Sequence, residues 1–454
     1  MELIYKINDK PPFSKMILAA FQQLLAVLAG TITMPMIVGH GMSHSAALLG
    51  AGVGSIVYFI ITRFRSPAFL GSSFSYVGSL SAAFAGAATV AMGYVGLILG
   101  ATIAGLVYVI LSIVIKFAGT KWIEKIMPAI IIGPVVMVIG LTLAPDAVSN
   151  LFLGGVTVEG ISIANQYVCL VCGLVALFTS VIVSVYGKNL VKLIPFIFGI
   201  LTGYFLALIL SIFGYMNDVD ALKIVDFSIF KNIEWLPELS FVKAIDGFKD
   251  FSSAREFFSY FGLVVSAYLP IAFVSFAEHI ADHKNLSFIT GQNLIEDPGL
   301  HRTLLGDGLG SITGAFLGGC PNTTYGESIS CVAFSHNASI WTLLSASIMA
   351  VILSFIGPLM CFFQSVPPCV IGGISFALFG FIVSSGLQML KGVDFSKSKN
   401  IFVVAAILVG GVGGLTLQLR NVVISPVACA LLLGVVINLI VNIKMPKKDK
   451  DENS

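Results

Sequence analysis

Two distant stretches of this sequence resemble each other and decide how the rest of it is interpreted. Residues 68–78 are AFLGSSFSYVG, and residues 315–326 are AFLGGCPNTTYG. Each stretch joins Ala-Phe-Leu-Gly to a short Ser/Thr-rich piece, an aromatic residue and a glycine. The serine, threonine and β-favouring residues predict extended backbone followed by a half-helix. Chance similarity between two Gly-rich apolar sequences is the alternative.

The composition around these stretches is that of a membrane protein. The chain has 454 residues, of which 57% are hydrophobic and 11% are charged, whereas soluble domains carry about 25% charged residues. Because so few charges cannot cover a water-facing surface, most of the surface must lie in lipid. A net charge of +2 and the lack of a basic block predict no nucleic-acid partner.

Hydropathy predicts an all-α polytopic membrane protein, since about 20 apolar residues cross the hydrocarbon core. Fourteen spans are expected, at 15–38, 45–62, 70–86, 93–117, 124–143, 165–186, 190–214, 257–280, 303–318, 323–335, 338–364, 367–390, 400–416 and 422–443. The two repeat stretches fall in the weakest of these spans, the third and the tenth.

The distribution of Lys and Arg predicts the orientation. Clusters lie at Arg63/Arg65, Lys116/Lys121/Lys125, Lys188/Lys192, Lys284/Arg302, Lys391/Lys397/Lys399 and Lys444/Lys447/Lys448, with Arg420 as an exception. If both weak spans cross, all these clusters share one side, which by the positive-inside rule is the cytoplasm. Both termini are then cytoplasmic. If neither weak span crosses, the Lys and Arg clusters between them would move to the opposite side of the membrane.

The paired weak spans predict a transport site. Secondary transporters bind substrate where corresponding segments of two repeats are short, polar or interrupted by glycine. Non-helical backbone at membrane depth is tolerated only where it lines a cavity or is buried in protein. If the two stretches are symmetric, spans one to seven and eight to fourteen are the halves, and an odd number of spans per half makes the repeat inverted.

Three carboxylates are the main candidates for a site, because ionisable residues inside a membrane are usually functional. Glu278 ends the eighth span, Asp282 follows four residues later, and Glu327 follows the second repeat stretch. Glu278 and Asp282 share a helix face if the helix continues. Two carboxylates in a low dielectric cannot both ionise cheaply, so one is expected to hold a proton. A solvated helix end is the alternative for this pair.

Three further polar residues are weaker candidates. Asp307 is interpreted either as a site residue or as a helix cap, and His279 as a packing residue. His283 is the rival proton carrier to Asp282, because histidine titrates near physiological pH, although its spacing turns it away from Glu278. The sequence contains no metal-ligand spacing, phosphate-binding loop or nucleophile motif. It therefore predicts no cofactor and no enzyme, but transport driven by a gradient.

Longer matches identify a family. The main match is AEHIADHKN…DPGLHRTLLGDGLGSITGAFLGGCPNTTYGESIS at 277–330, and it is supported by the proline pair at 11–12, FQQL at 21–24 and PAFLGSSFSY at 67–76. The sequence resembles the nucleobase–cation symporter family, also called nucleobase–ascorbate transporters. Within that family the resemblance is to the bacterial uracil permeases, and it covers nearly the whole chain. The runs NTTYGE and DPGLHR…GDG are its most specific parts.

The resemblance implies a fold of fourteen spans as an inverted seven-plus-seven repeat. A core domain would comprise residues 1–120 and 257–364, and a gate domain residues 121–256 and 365–443, before a cytoplasmic tail at 444–454. Short strands would open the third and tenth spans, with the nucleobase between them. The family also implies a multi-pass protein of the inner (plasma) membrane, surrounded by the lipid bilayer, that forms a homodimer through the gate domain.

The resemblance also implies the site and its substrate. Uracil is planar and neutral, with two ring N–H donors and two carbonyl acceptors, so carboxylates can accept from it while strand N–H groups donate. Phe74 or Tyr76 would pack on the ring. The substrate-binding residues so implied are Glu278, Glu327, Phe74, Gly326, Tyr76 and Tyr325, and the proton-coupling residues are Asp282, Glu278 and His283.

Some residues depart from the family pattern and leave alternatives open. Asp282 stands where uracil permeases often have histidine, Gln22-Gln23 stands for the usual Gln-His, and Ser-Ile-Ser follows NTTYGE at 328–330. A purine permease for xanthine, guanine or hypoxanthine is therefore the alternative within the family. An anion transporter of the same architecture is a more distant one, because Glu327 would repel its ligand.

Overall fold

The chain folds as a mostly helical integral membrane protein. The computed structural model describes residues 3–120, 128–158, 161–188, 191, 194–231, 233–419 and 422–442. Within those residues, eight helices are long and apolar enough to cross a membrane, or nine if the pair Ile340–Leu353 and Gly357–Gln364, bent by 82°, counts as one span. This agrees with the polytopic helical class that the composition predicts.

The first half of the chain contains seven helices in the described ranges and one strand that matters for the site. In order the elements are α1 (Phe13–Val38), α2 (His44–Ile61), β1 (Leu70–Ser72), a 3₁₀ turn (Phe74–Tyr76), α3 (Val77–Ala85), α4 (Val90–Ala118), α5 (Ala129–Asn150), β2 (Thr157–Val158), β3 (Ile161–Ser162), α6 (Gln166–Tyr186) and α7 (Pro195–Met216). Two 3₁₀ turns, Asp220–Leu222 and Phe227–Lys231, follow α7.

The second half begins with a short helix outside the predicted spans. Its elements are α8 (Ser240–Lys249), α9 (Ala254–Thr290), a π turn (Ile295–Gly299), α10 (Leu300–Gly318), β4 (Asn322–Thr324), α11 (Gly326–Ser335), α12 (Ile340–Leu353), α13 (Gly357–Gln364), α14 (Pro368–Met389), α15 (Ser398–Val412), β5 (Leu417–Leu419), β6 (Val422–Ile424) and α16 (Pro426–Val441).

Every predicted span overlaps a described helix or helix pair, but some predictions fall outside the described residues. These are the starts of the spans 124–143 and 190–214, the last residue of 422–443, the tail 444–454, and Lys121, Lys125, Lys192, Arg420, Lys444, Lys447 and Lys448. The crossing of fourteen spans as an inverted repeat stays a prediction. Helix α9 runs ten residues beyond the predicted end at Ile280, so Glu278 and Asp282 are not at a helix end.

Strands β1 and β4 pair with each other in antiparallel register. Leu70 lies opposite Thr324, and Ser72 lies opposite Asn322. Residues 70–85 form the first strand–helix unit, and residues 322–335 form the second. Each unit is a three-residue buried strand followed by a helix of nine or ten residues. Because the strands are antiparallel, the two short helices follow from opposite ends of the strand pair.

The shared Ala-Phe-Leu-Gly letters do not occupy equivalent places. Residues 68–71 lead into β1 and form part of it, whereas residues 315–318 are the last turn of α10. The strand of the second unit begins four residues after Gly318, because Gly319 takes a left-handed conformation (φ 84°) that ends α10. The alignment of these four letters was therefore wrong as a guide to register, although both stretches do contain a strand.

The helices pack in two sets. Helix α2 packs on α10 and α12, α10 packs on α4, and α4 packs on α8 and α9. Helix α5 packs on α14 and α15, α6 packs on α7 and α14, and α15 packs on α16. Close approach between α2 and α10 depends on glycine: a Cβ at Gly54 would lie 2.7 Å from the Gly310 carbonyl oxygen of α10, and 2.6 Å from the side-chain nitrogen of Asn322 in β4. That nitrogen donates to the carbonyl of Gly50 at 2.9 Å, which fixes the start of β4 against α2.

Candidate functional site

Glu278 lies where α9 passes the end of β1. The Ser75 hydroxyl, in the 3₁₀ turn of the first unit, contacts both carboxylate oxygens at 3.1 and 2.9 Å. Glu278 itself is half-buried. Since a hydroxyl has only one proton to donate, the carboxylate keeps acceptor capacity for another donor.

Asp282 contacts the other unit. One helical turn beyond Glu278, its Oδ2 accepts from the Thr324 hydroxyl at 2.7 Å. Thr324 is the last residue of β4 and pairs with Leu70 of β1. The i, i+4 spacing therefore does place both carboxylates on one face of α9, and each is hydrogen-bonded to a different strand–helix unit.

Glu327 lies in the first turn of α11, directly after the exposed Gly326. It is half-buried, like Glu278. The first N–H groups of a helix have no partner within the helix and carry the positive end of its dipole. The start of α11 therefore offers backbone donors and a carboxylate acceptor side by side.

The three predicted aromatic residues differ in exposure. Phe74 is half-buried and contacts all three buried hydrophobic clusters of the protein. Tyr76 is only 2% exposed and stacks on Tyr268 with centroids 5.8 Å apart. Tyr325 is 4% exposed and packs against Gly71, so close that a Cβ there would lie 2.7 Å from its ring. Of these three, Phe74 has the most ring surface to offer a ligand.

His283 lies on another side of α9 and is fully buried. Its Nδ1 contacts the carbonyl of His279 at 2.9 Å, and since a carbonyl can only accept, Nδ1 carries a proton. Its Nε2 lies 2.9 Å from the Tyr58 hydroxyl and 3.1 Å from the Ser66 hydroxyl. Both ring nitrogens are therefore engaged with groups away from the carboxylates.

A buried pair behind the site was not identified from the sequence. His279 Nδ1 lies 2.6 Å from Asp307 Oδ2, and both side chains are 0% exposed. The same Asp307 oxygen accepts from the Thr323 hydroxyl of β4 at 3.2 Å, and His279 Nε2 lies 3.0 Å from the Thr303 hydroxyl. The capping interpretation of Asp307 was wrong, since it lies in the interior of α10. The available signal was a carboxylate in the middle of a Gly- and Leu-rich helix.

Gln23 and Ser328, two residues that depart from the family pattern, are hydrogen-bonded to each other. The Gln23 amide donates to the Ser328 carbonyl at 3.0 Å and to its hydroxyl. The Ser328 hydroxyl also accepts from the backbone N–H of Phe69 at 3.3 Å. Helix α1 and the residues before β1 are thus tied to the first turn of α11, beside Glu327.

A cavity of about 500 Å³ leads towards this region between α3, α5, α9 and the residues that begin α16. Ser75 is among its lining residues, with Ser79, Thr142, Asp146 and Ile271. The site, which the cavity reaches at Ser75, combines carboxylate acceptors with backbone donors and one aromatic face, which suits a small planar molecule that has N–H donors. Among the described residues, no group of His, Cys, Asp and Glu is arranged to hold a metal ion.

A mostly helical membrane protein with two paired strand–helix units and a half-buried polar site beside them has features expected of a membrane permease. The model of the xanthine and uracil permeases, described as "Permease family", matches residues 14–419. The chain belongs to this family.

Several characterised relatives match over nearly the full length. The uracil permease of Bacillus caldolyticus is 35% identical over 441 residues, which are 96% of this chain and 94% of the relative. The uracil permease of Bacillus subtilis (strain 168) is 35% identical over 443 residues, with the same coverage. That of Escherichia coli (strain K12) is 30% identical over 438 residues, 96% of this chain and 93% of the relative.

Solved structures with the same fold are more distant in sequence. The transmembrane domain of the cyanobacterial bicarbonate transporter BicA has a TM-score of 0.61 at 15% identity, covering 96% of this chain and all of that one. The murine anion transporter Slc26a9 has a TM-score of 0.64 at 12% identity, covering 96% of this chain and 69% of that one. At this identity the likeness concerns the fold alone.

Proposed function

We propose that this protein is a symporter that imports uracil together with a proton. The observation that carries the proposal is the pair of carboxylates on α9, Glu278 and Asp282, each bonded to a different strand–helix unit. A base bound between the two units would then be linked to both of them through α9. Relatives at 30–35% identity that are named uracil permease support uracil as the substrate.

The donor and acceptor pattern of the site fits a pyrimidine. Glu278 and Glu327 accept from the two ring N–H groups, and the unpaired N–H groups at the start of α11 donate to a carbonyl oxygen. Charge-assisted bonds of this kind are roughly twice as strong as neutral ones. The half-buried ring of Phe74 covers one face of the base. The buried rings of Tyr76 and Tyr325 support the site from behind.

Asp282 is the proposed proton carrier. Protonation removes a charge from the site, which lowers the cost of moving it through a low dielectric. A proton added to His283 would instead create a fully buried cation, because that ring is 0% exposed and its Nδ1 is already protonated. Glu278 shares the proton-linked role through its position one turn away on the same helix.

Alternating access is proposed to occur between two domains. The core domain is residues 1–120 and 257–364, with α1–α4 and α9–α13, and the gate domain is residues 121–256 and 365–443, with α5–α8 and α14–α16, related as a seven-plus-seven inverted repeat. Helix α8, at the end of the first gate segment, packs on α4 of the core. In the cell membrane both termini face the cytoplasm, and the gate domain forms the homodimer. The cavity at Ser75 lies between the two domains and is one route to the base.

Uptake into proteoliposomes tests the proposal. We expect saturable uptake of labelled uracil that rises when the interior is made alkaline and is lost with a protonophore. Xanthine, guanine and hypoxanthine should compete weakly. Saturable xanthine uptake without competition by uracil would establish a purine permease instead. Bicarbonate or sulfate uptake would establish an anion transporter, which the three carboxylates of the site argue against.

A further inference from the structure

We infer that the N-terminal segment of this chain, residues 4–9, is a strap that positions the substrate-binding half-helix α11. The strap precedes the first membrane helix and lies against the loop after α11. The inference rests on the proposed function for its effect on substrate, but its structural part can be tested without any ligand.

Backbone hydrogen bonds attach the strap to residues 336–340. The N–H groups of Ile4 and Tyr5 both donate to the carbonyl of His336, at 2.9 and 3.2 Å. In return the Tyr5 carbonyl accepts from Ala338 N–H at 2.9 Å, and the Ile7 carbonyl accepts from Ile340 N–H at 3.0 Å. Tyr5 pairs with Asn337 as an isolated parallel bridge. These bonds form a short parallel bridge between the strap and the loop after α11.

Side chains add to this attachment. Ile7 is 1% exposed and belongs to the hydrophobic cluster that also contains Ile329 and Val332 of α11. The Ser339 hydroxyl donates to the Asp9 carbonyl at 2.6 Å. Because the strap contributes a buried side chain to the same hydrophobic cluster as α11, we count it as part of the support of the site.

Helix α11 needs such support because it is short. Its ten residues, Gly326–Ser335, span about 15 Å, and isolated helices of this length are marginal even in favourable sequences. Glu327 lies at one end and His336, with a left-handed φ of 52°, ends the other. Gln23 holds the first turn through Ser328, so residues 4–23 contact both ends of α11.

A matched pair of isoleucines tests the strap. Ile7→Ser removes the buried anchor, whereas Ile4→Ser changes the same residue type at a position that is 68% exposed. Hydrogen exchange should show faster exchange across residues 326–335 in Ile7→Ser and unchanged exchange across residues 77–85, the equivalent helix of the first unit. Ile4→Ser should match the parent chain in both. Equal exchange of 326–335 in the two variants overturns the inference whatever the substrate is.

The effect on substrate is measured as uracil affinity by titration calorimetry. We expect about a tenfold loss in Ile7→Ser, since loss of a buried isoleucine is among the larger core perturbations, and no loss in Ile4→Ser. Faster exchange without weaker binding in Ile7→Ser overturns the positioning role. If the parent chain itself fails to bind uracil, the proposed function fails, while the exchange result still decides the strap.

A tether gives a second test. In a chain with Tyr5→Cys and Asn337→Cys, the bridged pair, oxidation by copper phenanthroline would hold the strap in place and reduction would release it. In the Ile7→Ser background, or in the milder Ile7→Ala background if Ile7→Ser folds poorly, oxidation should restore slow exchange across 326–335 and restore uracil affinity. Cross-linking that forms but restores neither overturns the inference.

Discussion

The first strand–helix unit turns from β1 into α3 through a 3₁₀ turn at Phe74–Tyr76, whereas the second passes from β4 into α11 through Tyr325 alone. The first unit presents hydroxyls to α9: that of Ser75 contacts Glu278, and that of Ser79 donates to the carbonyl of Ala267 at 2.8 Å. The second presents the Thr324 hydroxyl to α9 and carries its own carboxylate, Glu327. The two units thus have the same strand–helix arrangement and pair through their strands, but only the second carries a carboxylate of its own.

The two units also differ in the hydrogen bonds that anchor them. The first unit is held on α2 by the Ser55 hydroxyl, which contacts both the N–H and the carbonyl of Leu70. The second is held by the buried His279–Asp307 pair through Thr323, and by Asn322 on Gly50. We therefore expect the second unit to be the more rigid platform for substrate and the first to be the more adaptable side.

The largest expected effect comes from breaking the buried pair. Asp307→Ala leaves the imidazole of His279 and the hydroxyl of Thr323 without their partner in a region that is 0% exposed. Each buried polar group left without its partner costs about 1–3 kcal/mol, and two are left here, so thermal unfolding in detergent should begin at a clearly lower temperature. Ser55→Ala, the equivalent change at the first unit, should cost about 1–3 kcal/mol. Equal shifts would show that the two anchors do not differ.

The next largest effect is on binding. Glu327→Gln keeps the size of the side chain but offers a donor where the base also donates, and it removes a charge-assisted bond. We expect a loss of about 1.5–3 kcal/mol, which is tenfold to over a hundredfold in uracil affinity by titration calorimetry. Glu296→Gln, at an exposed position in the turn before α10, is the control. Unchanged affinity in Glu327→Gln would remove this residue from the site.

The fold was largely predictable from the sequence, because long apolar runs specify membrane helices directly. The strands were suggested by Ser/Thr-rich pieces in otherwise apolar sequence. Their register was not, since the Ala-Phe-Leu-Gly match of 68–71 with 315–318 compares a strand with the end of a helix. Three-residue strands carry too little pattern to fix register, which depends here on contacts between distant segments.

The site was predictable only in part for a similar reason. The i, i+4 spacing of Glu278 and Asp282 gave their common face, because helical geometry relates neighbours in sequence. His279 and Asp307 are 28 residues apart and meet only through the packing of α9 on α10. The strap at Ile7 and the link between Gln23 and Ser328 likewise join segments more than 300 residues apart. No local pattern encodes such pairs.

Proton coupling should depend on Asp282, which faces the second unit, and not on its buried neighbour His283. Asp282→Asn keeps a partner for Thr324 but cannot lose a proton, so it should allow uracil exchange while losing accumulation driven by a pH gradient. One pH unit is worth about 1.4 kcal/mol, or a tenfold concentration ratio. His283→Gln should lower thermal stability, because it disturbs the bonds to Tyr58 and Ser66, yet keep gradient-driven accumulation. The reverse result would assign the proton to His283.

The smallest expected effect on binding comes from a comparison of one glycine in each unit. A Cβ at Gly71 would lie 2.7 Å from the Tyr325 ring, whereas no described atom lies within 4 Å of a Cβ at Gly326. Gly71→Ala should therefore destabilise the fold by about 1–3 kcal/mol through overpacking. Gly326→Ala should leave the unfolding temperature unchanged but reduce uracil affinity about threefold to tenfold, since the added methyl occupies space at the start of α11 that the base needs. If Gly326→Ala binds uracil as tightly as the parent chain, the base does not approach the start of α11, and recognition would then depend on the carboxylates of α9 and the first unit.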